Sequence, residues 1–155
     1  ACAHMNITPV SESAKKLDRA GKVLVVTGSD GRYGSITYTG TGNEFASLVL
    51  VEFAKYASAY EILPQMPLAN AIGEAKAKDA KYAVMPEILF YEDRNTPMSG
   101  RRDQITVKVT VYIVDDSSMV QSSMITANNQ WATLVNNRPM VLINKPLAEL
   151  VKNFY

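Results

Sequence analysis

The chain has 155 residues, 47% apolar and 20% charged, with a formal net charge of +1. That is the balance of a single soluble globular domain with one core. Its basic residues are scattered, Lys15-Lys16 and Arg101-Arg102 being the adjacent pairs, so the dense basic face that nucleic acid needs is missing and no nucleic-acid partner is expected. No apolar run approaches the roughly 18 residues of a membrane-spanning helix, and one cysteine excludes an internal disulfide.

That cysteine is Cys2, after one small residue and before a polar stretch. The placing is that of the processing site of a bacterial lipoprotein, where a signal peptide is removed and acyl chains such as palmitate are attached. Each buried methylene of such chains contributes about 0.8 kcal/mol, so several of them hold firmly. The other reading is that His4-Met5 is a cloning remnant and that residues 1–5 are partly vector. Ala3 is not the aspartate that commonly retains a lipoprotein at the inner membrane, which points to the outer one. Residues 1–12, with Pro9 and no evident apolar period, are expected to form a flexible tether. Residues 13–155 are expected to form one α/β domain. Within 11–20 Leu17 is the one large apolar residue, and Ser13 is placed to cap a short turn.

Val23-Leu24-Val25-Val26-Thr27 is a continuous apolar, β-branched run, the mark of a strand covered on both faces. A loop over 28–40 follows, rich in glycine, with a short extended piece over 36–38. Thr41-Gly42-Asn43-Glu44 matches a capping box. The helix behind it carries Phe45, Leu48, Val49, Leu50, Val51, Phe53 and Tyr56, apolar nearly all round and so expected to be buried. A second strand is expected over 59–63, stopped by Pro64. An amphipathic helix over 68–78 has Leu68, Ala71, Ile72 and Ala75 on its apolar stripe. A third strand is expected over 82–92, where Pro86 signals a bulge or an edge.

Residues 104–114 alternate cleanly, with Ile105, Val107, Val109, Val111 and Ile113 on one face. That is an antiparallel strand with one wet side. Asp115-Asp116-Ser117-Ser118 is a hairpin turn, and 119–127 is the return strand. Residues 128–138 form a loop that holds Trp131. Residues 139–155 are helical, with Pro146 at a first-turn position and Leu147, Leu150, Val151 and Phe154 buried. The expected fold is α/β: one mixed sheet of about five strands, parallel βαβ units in its first half and an antiparallel meander in its second, with about three helices packed on it.

The glycine loop invites a phosphate, but it fails in detail. Gly42 is followed by Asn43-Glu44 instead of the Lys-Ser/Thr of a P-loop. Gly28, Gly31 and Gly34 are three apart, which is not the dinucleotide spacing. His4 is the sole histidine and lies in the expected tether, so no Ser–His or Cys–His pair can be built in the domain. Cysteine and histidine clusters for zinc do not exist. The pairs Glu92-Asp93 and Asp115-Asp116 are weak acid/base candidates, since successive strand residues point to opposite faces. No catalytic residue, metal or cofactor is assigned. One cluster stands out. If the first and third strands are parallel neighbours, Arg32, Tyr33 and Tyr38 emerge beside Glu92, Asp93 and Arg94. Trp131 covers the same end or finishes the core. These residues make either a polar groove or an ion-pair latch that ties the long loop down.

Asp30-Gly31-Arg32-Tyr33-Gly34, Tyr38-Thr39-Gly40-Thr41-Gly42, Ile88-Leu89-Phe90-Tyr91-Glu92-Asp93-Arg94 and Gln130-Trp131-Ala132-Thr133 resemble a family of Gram-negative lipoproteins, domain of unknown function 4823. The resemblance spans about 13–155 and implies an exported periplasmic protein, lipid-anchored at Cys2, with no established activity. The layout is also similar to the amino-terminal domain of TolB, to CsgG and to the lipoprotein activators of penicillin-binding proteins. That likeness is one of fold. It implies a non-enzymatic module that docks onto another envelope protein in assembly or maintenance. The alternative is a periplasmic domain that binds a small ligand at the glycine loop. Neither reading sets the oligomeric state.

Overall fold

The structure is a computed structural model, and it describes residues 3–10, 15–93, 103–129 and 138–155. In chain order the elements are β1 (Ala3–Pro9), β2 (Val23–Val26), β3 (Gly31–Tyr33), β4 (Ile36–Tyr38), α1 (Thr41–Ala54), β5 (Tyr60–Leu63), α2 (Leu68–Ala77), β6 (Tyr82–Glu92), β7 (Gln104–Ile113), β8 (Met119–Asn129), a 3₁₀ turn (Pro139–Ile143) and α3 (Asn144–Phe154). Six strands form one mixed sheet in the order β1-β8-β7-β6-β2-β5, and β3 pairs with β4 in a separate hairpin. The class and the three helices are as expected. The sheet has one strand more than the five expected, and the hairpin comes in addition.

The parallel half is β5-β2-β6, with Val23 opposite Tyr60 on one side and Tyr82 on the other. Strand β2 is buried on both faces, and its side chains divide by parity. Val23 and Val25 join the core under α1 and α3, while Leu24 and Val26 join the smaller core under α2. The antiparallel half is β6-β7-β8-β1. Ile105, Val107, Val109 and Val111 are fully buried on its helix-covered face. From α3, Leu147, Leu150, Val151 and Phe154 close over that face as the spacing requires.

The expected tether over 1–12 is corrected by β1. Its residues pair with β8 from Ala3 opposite Asn129 to Pro9 opposite Ser123. The reason is a period of two: Met5, Ile7 and Pro9 alternate with His4, Asn6 and Thr8. Ile7, opposite Ile125, packs against the core.

Helix α1 is less buried than its composition suggests. Phe45, Val49 and Phe53 form the inner face, one turn apart, while Val51 points outward and is exposed. Strand β6 is interior, so Pro86 does not mark an edge. Pairing with β2 ends at Val84, so no β2 carbonyl waits for the amide that Pro86 lacks. The register shift against β7 falls between Ile88 and Phe90.

Candidate functional site

Strands β2 and β6 are parallel neighbours, so the loop after β2 and the end of β6 meet. What packs them is glycine. A Cβ on Gly28 would stand 2.4 Å from the carbonyl oxygen of Pro86, one on Gly42 would stand 2.3 Å from that of Gly28, and one on Gly31 would stand 2.7 Å from Cβ of Tyr91. Three backbone segments thus approach to distances that no side chain permits. Gly28, Gly31 and Gly42 are used in contacts within the protein, while Gly34 and Gly40 serve positive-φ turns.

The start of α1 is capped from a distance. The Asp30 carboxylate accepts hydrogen bonds from the amides of Gly42 at 2.9 Å and Gly40 at 3.2 Å. Gly40 itself sits at φ 90°. An aspartate ten residues upstream therefore fills the anion position at the helix N-terminus. The capping box is not formed. The Thr41 hydroxyl accepts from the Gly31 amide at 2.7 Å and donates to the Tyr38 carbonyl at 2.7 Å. It ties the two ends of the hairpin loop together instead of capping its own helix. Glu44 turns outward to Arg138, with two hydrogen bonds of 3.1 and 2.7 Å.

Of the residues singled out in sequence, the structure brings Tyr33, Tyr38, Glu92 and Asp93 to the end of β6. Tyr33 meets Phe90 edge to face at 5.7 Å, and Tyr38 lies 4.8 Å from the ring of Tyr91. The Tyr38 hydroxyl lies 3.4 Å from both the amide and the carbonyl of Asp93. Glu92 is buried and Arg32 is exposed. Cys2, Arg94 and Trp131 lie outside the described residues.

Sequence reasoning missed Asp30, Thr41 in its bridging role, Tyr91 and Arg138. Asp30 stood within a quoted motif, but a cap supplied across a hairpin has no local spacing to reveal it. Tyr91 is fully buried, and that burial raises its phenol above the ordinary value, against the opposing pull of Arg138, which hydrogen-bonds it. Arg138 is held further toward its charged form by Glu44.

Among the described residues no group of three or more His, Cys, Asp or Glu side chains is placed to hold a metal. The Asp115-Asp116 pair lies in the β7–β8 turn, at the opposite end of the sheet. Asp116 accepts from the amide and hydroxyl of Ser118, and those bonds lower its pKa. It builds the turn.

The family described as Domain of unknown function (DUF4823) matches residues 15–154. No curated protein matches the sequence. Among solved structures, the PelC dodecamer from Paraburkholderia phytofirmans is similar, with a TM-score of 0.69 at 19% identity, over 96% of this chain and 97% of that one. Lipoprotein GNA1162 from Neisseria meningitidis has a TM-score of 0.55 at 11% identity, over 86% of this chain and 96% of that one. The LpoB C-terminal domain from Salmonella enterica has a TM-score of 0.50 at 15% identity, over 76% and 87%. At such identities the likeness is one of fold.

Proposed function

The chain belongs to the family described as Domain of unknown function (DUF4823), and from that premise we propose that it is a non-enzymatic lipoprotein of the bacterial periplasm. Acyl chains on Cys2 hold it to the outer membrane, and its α/β domain docks onto another envelope protein. The fold shared with GNA1162 and LpoB supports this reading. The PelC structure is a dodecamer, which adds copies of this chain to the partners to consider.

The observation that carries the proposal is the edge at β5, beyond which no strand pairs among the described residues. Tyr60 and Ile62 on that strand are 52% and 39% exposed, and Val51 on α1, the helix packed beside it, is 59% exposed. An edge strand offers unpaired backbone groups, and apolar side chains along it suit a partner chain. A small-ligand site at the glycine loop is the weaker reading, because Asp30 already satisfies the helix amides there.

The test is a photoreactive residue placed at Ile62 in the acylated chain, in living cells. The expected result is a discrete adduct with an envelope protein or a second copy, lost when Tyr60→Asp is added. No adduct, or the same adduct from a probe at the exposed Asp115, would overturn the proposal.

A further inference from the structure

We propose that the end of the sheet where β1 begins lies against the phospholipid surface, with the β3–β4 hairpin touching the headgroup layer. This rests on the acylation of Cys2 proposed above and adds an orientation to it. Ala3 is already paired with Asn129. Cys2 is the next residue. One residue spans at most about 3.6 Å, so an anchor on Cys2 has almost no slack. The domain cannot float at the end of a leash while β1 stays in the sheet.

Strand register fixes which end is pulled down. His4, Asn128, Gln104 and Glu92 form one row across β1, β8, β7 and β6. Four strands span about 14 Å. The hairpin sits at the far side of that row, with Tyr33 on Phe90 and Tyr38 on Tyr91 and Asp93. It presents Ile36, 53% exposed, and Arg32, with Leu89 of β6 nearby in the chain and 50% exposed. An exposed isoleucine is unremarkable by itself. Here aliphatic, tyrosine and arginine side chains gather at the end that carries the anchor, and that combination suits the headgroup boundary.

Among the described residues, Glu92, Asp93 and Asp103 share the end with Arg32. The contact is apolar and aromatic, and it should persist at high salt. The β7–β8 turn lies at the other end of β7, a strand of 10 residues, about 30 Å away.

The test uses the full acylated chain in nanodiscs of phosphatidylethanolamine and phosphatidylglycerol with a nitroxide on a fraction of headgroups. Amide signals are then read by NMR. Broadening is expected at Ala3, His4, Asn129 and residues 33–38, with residues 115–118 spared, at low and high salt alike. Ile36→Asp, an exposed position that leaves the fold intact, should reduce broadening at the hairpin while Cys2 stays acylated. Acylated protein with uniform broadening, or with broadening strongest at 115–118, would overturn the orientation and leave the anchor standing. So would Ile36→Asp without effect at the hairpin. Mass spectrometry of protein recovered from cells with Cys2 unmodified would overturn the anchor, and the orientation with it.

Discussion

Gly42 and Gly73 are both helical glycines with opposite roles. Alanine favours a helix over glycine by about 1 kcal/mol. At Gly73 a Cβ would meet nothing within 4 Å, so Gly73→Ala should raise stability by about that amount. At Gly42 the new Cβ meets the Gly28 carbonyl at 2.3 Å. Backbone must move, and overpacking of this kind costs about 1–3 kcal/mol, so the clash outweighs the propensity. Urea denaturation of the two variants should give shifts of opposite sign. Asp30→Ala should cost about 1–2 kcal/mol through the lost cap of α1, measured the same way. Tyr155 has a buried hydroxyl without a hydrogen-bond partner, and burial raises its phenol above the ordinary value of 10.0. The bare hydroxyl costs its desolvation at neutral pH, and above pH 10 the unfolded chain ionises while the folded one keeps its proton, so stability falls as pH climbs toward the folded-state value. Tyr155→Phe should therefore be more stable at neutral pH by about 1 kcal/mol. Its stability should also fall less steeply above pH 10, which thermal melts at pH 7 to 11 will read.

Elements with strong local patterns were legible, and those held from outside were not. The run from Val23, the alternation from Ile105 and the apolar stripe from Leu147 each dictate one conformation, and all three appear as expected. The capping box failed because its two polar side chains found better partners in space, Thr41 in the hairpin loop and Glu44 in Arg138. No local rule sees residues 94 positions apart. Strand β1 is a different case. Its alternation is present in Ala3 to Pro9, but at an amphipathicity carried mainly by Ile7, since Met5 and Pro9 stay exposed even in the folded protein. Removing residues 1–10 uncovers Ile7's contact and the edge of β8. Stability should fall by about 1–3 kcal/mol, the value of one large buried apolar side chain. A true tether would cost nothing. Glu44→Gln should cost less than about 1 kcal/mol, because its pair with Arg138 is largely exposed. Equilibrium unfolding of the truncated and substituted chains ranks the two contacts.

At the scale of the molecule, the parallel half and the meander share β6, and that strand also carries the hairpin. This junction was legible only as a condition, that the first and third strands be parallel neighbours. Once it holds, Tyr33, Tyr38, Glu92 and Asp93 converge without further assumption. What they converge into was not legible, because the glycines between them mark backbone contact as readily as a ligand cradle. Among the described residues the sheet ends at two edges with different surroundings. β5 carries exposed Tyr60 and Ile62, while β1 begins one residue from Cys2. In the reading proposed above, one edge docks a partner chain and the other fixes the molecule's attitude on the membrane. The second claim depends most on β1 being a strand in solution. Native-state hydrogen exchange of the amides of residues 3–9 tests this directly. In an edge strand every second amide faces its neighbour, so alternate amides should be slowed together with those of β8. If all of them exchange as fast as an unstructured peptide, the segment is a leash and the account fails.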